Sequence, residues 1–171
     1  MQYRTVTFFG IVPLAIIVMV LAGLFAPRRS GKEIPLLPPL SKGDERGILF
    51  QRVRVGSVFL NAEIAATPEA RRQGLSGHAP LNDNEGMLFV FDAPAPQTFL
   101  MINMLFPLDI IWIGAGKRVI GITRDVPAPQ LGTSSDKLPL YSSPSPAQYV
   151  LEVNAGWSGK HGVKVGDEVT W

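Results

Sequence analysis

The chain has 171 residues, 16 Lys and Arg against 14 Asp and Glu, two His, no Cys and 46% hydrophobic residues, which fits one ordinary domain plus an appendage. Residues 1 to 50 hold six of the basic and three of the acidic residues. The remainder has ten and eleven, so the formal net charge of +2 forces no basic face and a nucleic-acid-binding domain loses its main support. The absence of Cys excludes disulfides, thiolate zinc sites and a Cys nucleophile.

From Thr5 to Ala26 there is no charge, and as a helix this stretch spans roughly 33 Å, enough for a bilayer core. Bulky Leu24 at the −3 position and Pro27 just beyond disfavour cleavage after Ala26, so residues 1–26 are expected to be an uncleaved single-pass anchor, with the membrane as partner through residues 5–26. Arg4 on one side and Arg28, Arg29 and Lys32 on the other mildly favour a cytoplasmic C-terminal domain. Residues 27–47, with four prolines and mixed charge, read as a spacer. The globular part is therefore placed at residues 48–171.

Val53 and Val55 alternate with Arg52 and Arg54, and after Gly56-Ser57 the alternation resumes at Val58, Leu60, Ala62 and Ile64, which predicts a hairpin with a type II′ turn. Thr67-Pro68-Glu69 starts a helix of about two turns that Gly74 stops. Strands are predicted at Met87–Phe91 and Gln97–Met101, separated by an Asp92–Pro96 loop. A second hairpin spans Asp109–Ile113, a Gly114–Lys117 turn and Arg118–Arg124. Five prolines and five serines make 126–148 a long loop; Tyr149–Val153 is a strand, Ala155–His161 a short helix and Val169–Trp171 a closing strand. Seven or eight short strands and two short helices without a βαβ rhythm imply a mainly β, antiparallel, barrel- or sandwich-like domain of the β-rich α+β kind, preceded by one transmembrane helix.

Few motifs carry chemistry. His78 and His161 lie 83 positions apart in unlike contexts and read as surface residues, so no metal or cofactor is expected. Ser76 and Ser158 each sit in a G-x-S sequence without the final Gly of a nucleophile elbow, and no dinucleotide or P-loop glycine pattern occurs. Asp109 stands inside the apolar run 106–113, where a buried carboxylate needs donors or a proton. It could join Asn103 and Arg71 or Arg72 around a polar ligand, act as an acid or base, or lock the 102–107 turn. Glu85, Glu152 and Asn154 are further polar residues flanking strands, and Tyr149 and Trp157 could form an aromatic platform.

The segments Thr67–Leu75, Gly86–Phe91, Phe99–Asn103, Pro107–Ile110 and Tyr149–Trp157, in this order, resemble the uncharacterised family called domain of unknown function 192. The resemblance runs from about Val58 to Val169. It implies a small β-rich domain, often exported or membrane-anchored in bacteria, with polar motif residues at Arg71, Asn103, Asp109 and Glu152. The chain departs at Leu100, where Trp is common, at Met104, where Thr is common, and at His78, where Arg is common. The resemblance implies a domain on the extracytoplasmic side of the inner membrane, against the charge asymmetry.

Two functions follow as expectations. One is a membrane-tethered, non-catalytic module of the bacterial envelope that binds an envelope protein or a small polar ligand near Arg71, Asn103, Asp109 and Glu152, with the 126–148 loop as a lid. The alternative is an envelope hydrolase with Asp109 or Glu152 as general base.

Overall fold

The structure, a computed structural model, describes residues 50–130 and 132–171. The expected anchor at 1–26 and the spacer at 27–47 lie outside the described residues. Among the described residues no helix is long and apolar enough to cross a membrane.

The chain forms β1 (Phe50–Val55), β2 (Val58–Ala65), α1 (Pro68–Gln73), β3 (Glu85–Ala95), β4 (Thr98–Phe99), β5 (Leu108–Ile113), β6 (Val119–Val126), β7 (Tyr141–Ser142), β8 (Ala147–Asn154), α2 (Trp157–Lys160) and β9 (Val169–Thr170), with a 3-10 turn at Ser135–Lys137. Seven strands form one sheet in the order β6-β5-β8-β3-β2-β1-β9, while β4 and β7 pair by themselves. The sheet curls into a half-barrel. At one end its outermost strands meet through an antiparallel bridge, Arg118↔Glu168, reinforced by Val119 N–H to Asp167 O (2.9 Å) and Val169 N–H to Lys117 O (2.8 Å).

Local chemistry accounts for the connections. Val55 pairs with Val58 across Gly56-Ser57, and only Gly56 takes a positive φ (58°), the II′ pattern that needs glycine first. The Thr67 side chain accepts the Ala70 N–H, Pro68 occupies the first turn, and Gly74 closes α1 by donating to Ala70 O. One expectation is corrected: β2 and β3 pair in parallel, joined by the 66–84 crossover that contains α1, so the sheet is mixed and holds one βαβ unit. The 92–96 loop is also shorter than expected, because β3 continues to Ala95 past a register shift. The long 126–148 loop contains β7, which pairs Thr98↔Ser142 and Phe99↔Tyr141.

The core has two layers. Val53, Leu60, Ala62, Leu88, Ile111, Leu151 and Val153 fill the concave side. Met87, Phe89, Ile110, Trp112 and Val150 project from the convex side, where Leu75, Met101, Met104 and Phe106 cover them. The central strands β3, β5 and β8 are therefore apolar on both faces, and all six residues of β5 are buried. Gly86 sets how closely β3 and β8 approach, since a Cβ there would stand 2.9 Å from the Glu152 carbonyl oxygen and 2.8 Å from Leu60 Cδ1.

Candidate functional site

The two acids singled out from the sequence sit on adjacent strands but on opposite faces of the sheet. Asp109 shares the concave parity of Ile111 and Ile113, and Glu152 shares the convex parity of Val150. Their surroundings differ accordingly.

Asp109 is fully buried and saturated with donors. Oδ1 accepts the N–H groups of Asp125 (2.9 Å) and Gly156 (3.1 Å), and Oδ2 accepts the N–H (2.9 Å) and Oγ–H (2.6 Å) of Ser158. The Asp125 amide is available because β6 carries a bulge opposite Asp109: Leu108 pairs with Val126 and Ile110 with Thr123, while Asp125 takes φ 52°. Arg124, beside the bulge, donates from Nε to Ser158 Oγ (3.1 Å) and from Nη2 to Val163 O (3.2 Å). Asp109 is thus a clasp that ties β5, the β6 bulge and the start of α2 together. It borders none of the cavities described below, and it locks this junction rather than the 102–107 turn.

Glu152 is the contrasting case. Its side chain is 6% exposed, accepts no hydrogen bond and has no ion-pair partner among the described residues. Burial alone pushes its carboxyl up to about 8. It lines a cavity of about 270 Å³ between α1, the convex face of β3 and the segment 97–104. Phe89, Phe91, Phe99, Leu75, Leu100 and Met104 supply apolar wall, and Arg71, Arg72, Gln73, Ser76, Gln97 and Thr98 are the polar lining. The Phe89 and Phe99 rings meet edge to face at 4.9 Å, and Phe99 meets Trp112 in the same way at 5.6 Å, which fixes the aromatic wall.

Arg71 belongs to the same cavity but is partly committed to structure. Its Nη1 donates to Ala66 O (2.6 Å) and Val90 O (2.8 Å), and its guanidinium lies 5.1 Å over the Phe91 ring, which fastens α1 to the end of β2 and the middle of β3. Asn103 is not brought to either acid. It is exposed, takes φ 53° and uses its carbonyl to accept the Gly77 N–H (3.0 Å), beside a separate recess bordered by Ala128, Pro129 and Gln130. The four residues chosen from the sequence therefore divide: Arg71 and Glu152 share the cavity, and Asn103 and Asp109 lie elsewhere.

The remaining candidates other than Ser76 lie apart from this cavity and make local contacts. Glu85 accepts from Asn82 N–H (3.1 Å) and Asn82 Nδ2 (3.0 Å), and the Asn154 amide clamps both backbone groups of Leu81. Tyr149 and Trp157 are buried in the concave core and form no exposed platform. His161 is not a plain surface residue: its ring packs 4.7 Å from Trp157, with Nε2 at 3.7 Å from Asp83 Oδ2. Ser158 is closed off by Asp109, and the Ser76 hydroxyl donates to Ile102 O (2.7 Å). The aromatic wall was missed from the sequence, although one signal was present. Met87, Phe89 and Phe91 make the second face of β3 apolar, and a strand apolar on both faces must be covered on both or line a cavity. Two of the positions at which the chain departs from the resemblance above, Leu100 and Met104, line this same cavity.

The model of the DUF192 family, described as an uncharacterized ACR, matches residues 51–171. A protein of unknown function from Novosphingobium aromaticivorans DSM 12444, whose crystal structure was determined at 1.22 Å, is 29% identical with a TM-score of 0.68, covering 78% of this chain and 94% of its own. A protein from Sinorhizobium meliloti 1021, provisionally described as a transcription regulator, is 31% identical with a TM-score of 0.63, covering 72% of this chain and 94% of its own. No curated protein matches the chain significantly.

Proposed function

The chain belongs to the domain of unknown function 192 family, and we propose that it is a membrane-tethered, non-catalytic module of the cell envelope that binds a small ligand in the cavity floored by Glu152. One observation carries this reading: a buried carboxyl that accepts no hydrogen bond from the described residues lines a cavity with an aromatic wall. Burying such a group unpaired is unfavourable, and a ligand that satisfies it recovers that free energy. The ligand has an apolar body and one polar head, its body against Phe89, Phe99 and Met104.

Hydrolysis receives less support. Asp109 is sequestered behind four donors, and Glu152 faces no second acid, while the one hydroxyl beside it with a nucleophile's position in a G-x-S sequence, Ser76, is committed to Ile102 O. A nucleic-acid partner, which the description of the Sinorhizobium protein would suggest, is not favoured by ten basic and eleven acidic residues beyond residue 50.

Fragment screening by thermal shift on the full chain tests the site. Fragments with an apolar ring and a single polar head are expected to raise the midpoint by a few degrees, and Glu152→Gln to change their ranking at least tenfold in affinity. Hits indifferent to Glu152→Gln would overturn the assignment. Placement is tested separately by reporters after Trp171: alkaline phosphatase should be active there, and fluorescence of a cytoplasm-competent reporter alone would overturn the extracytoplasmic placement.

A further inference from the structure

We propose that the ligand of the Glu152 cavity is a small amine with an apolar body, its ammonium group paired with the Glu152 carboxylate and its body against the rings of Phe89 and Phe99. This rests on the binding function proposed above and specifies the chemical class of what is bound.

The argument starts from the charges around the carboxyl. The strands flanking β8 place Met87 and Ile110 beside Glu152 in register, and neither is polar. Across β3 the same row continues to Glu63, roughly 10 Å away at two strand spacings, with buried Met87 between them. From α1 the facing charges are Arg71 and Arg72, and no other residue lining the cavity is charged. Arg71 spends Nη1 on two carbonyls and lies over Phe91, and neither arginine holds the Glu152 carboxyl down, since burial alone shifts it. The carboxyl therefore has no ionic partner of its own, although two arginines line the same cavity.

The wall chemistry selects among the groups that could complete it. Edge-to-face packing of Phe89 on Phe99 fixes two rings in the wall of the cavity that Glu152 lines, and ring faces attract a cation as well as an apolar body. A metal ion would need several oxygen, nitrogen or sulfur ligands, and no group of three or more His, Cys, Asp or Glu occurs among the described residues. A carboxylate ligand drawn to Arg71 or Arg72 would leave the buried Glu152 carboxyl without an ionic partner. An ammonium ion gains both the ion pair and the rings, in a cavity of about 270 Å³ that suits a molecule of a few to a dozen heavy atoms.

Binding an ammonium ion requires Glu152 to release its proton, and the linkage gives the test. The probes are 2-phenylethylamine and its uncharged counterpart 2-phenylethanol, titrated calorimetrically into the full chain between pH 6 and 8, with the Met104 methyl resonance reporting occupancy. The amine remains protonated over this range. Its affinity should rise about fiftyfold from pH 6 to 8, with proton release falling from about one per site at pH 6 to about half at pH 8, because the empty site titrates at about 8. The alcohol should bind at least tenfold more weakly at pH 8, and Glu152→Gln should abolish both the pH dependence and the preference for the amine. Equal binding of amine and alcohol by the unaltered protein, or a flat pH profile for the amine, would overturn the amine assignment while leaving the cavity as the ligand site. If neither probe moves the Met104 resonance, both the amine assignment and the binding function built on this cavity are overturned.

Discussion

Asp109→Ala should lower the unfolding free energy of the domain by about 3–5 kcal/mol and its melting midpoint by roughly 10–20 °C. The substitution removes the acceptor of four hydrogen bonds at once. It leaves the amides of Asp125, Gly156 and Ser158 and the Ser158 hydroxyl facing a void at a position that solvent does not reach. Each such donor, when unsatisfied, costs about 1–3 kcal/mol. The loss is partly offset, because the polar side chain itself no longer needs to be desolvated. Asp109→Asn should fall between, at about 2–3 kcal/mol: one amide oxygen serves two donors, but the side-chain NH₂ then points at a site built only from donors. Urea denaturation of the three proteins gives the free energies. Amide exchange should accelerate first at Asp125, Gly156 and Ser158, since the clasp joins the β6 bulge to α2. An Asp109→Ala protein within 1 kcal/mol of the unaltered one would refute the clasp.

The contrast between the two acids shows where sequence reasoning stops. Asp109 and Glu152 carry the same signal, an acid inside an apolar strand, and nothing local separates them. The parity of Asp109 with Ile111 and Ile113 and of Glu152 with Val150 is readable, but which face each parity reaches depends on segments far away in the chain. Asp109 finds donors at Gly156 and Ser158, 47 and 49 positions on. Glu152 finds a cavity because the 97–104 segment and α1 cover β3 without filling the space above β8. Features with local causes were legible: the Gly56-Ser57 turn, the Thr67 cap with Pro68, and the Gly114–Lys117 turn all form where their residues demand. Pairings with distant causes were not. The β4–β7 ladder is two residues long and joins positions 44 apart at Thr98 and Ser142, in a loop whose prolines and serines argue against a strand. The parallel register of β2 on β3 likewise depends on the 66–84 crossover between them, not on either strand's own pattern.

The second large effect is a loss of stability with rising pH that Glu152 alone should impose. Its carboxyl ionises near 4.5 in the unfolded chain and is held up to about 8 by burial in the folded one. Below the lower value both states keep the proton and the group favours neither. Between the two values the unfolded chain has released its proton and the folded chain has not, so each pH unit favours unfolding by about 1.4 kcal/mol. Above about 8 the folded form ionises as well and the difference stops growing. From pH 5 to 8 the expected loss is therefore of order 4 kcal/mol. The side-chain hydrogen bonds from Lys160 and Lys164 lower Asp83 and Asp167, so these acids stabilise the fold above their ordinary range and lose that contribution only in stronger acid, outside this window. Glu152→Gln keeps the shape and removes the ionisation. Its unfolding free energy should be nearly flat from pH 5 to 8 and exceed that of the unaltered protein by several kcal/mol at pH 8, measured by urea denaturation at fixed ionic strength. A gap between the two proteins that does not change with pH would mean that Glu152 ionises normally, in which case the buried, unpartnered carboxyl would not be the feature that shapes this cavity. A bound cation acts in the opposite sense, because it stabilises the ionised form inside the fold, so saturating amine should flatten the profile of the unaltered protein and leave that of Glu152→Gln unmoved.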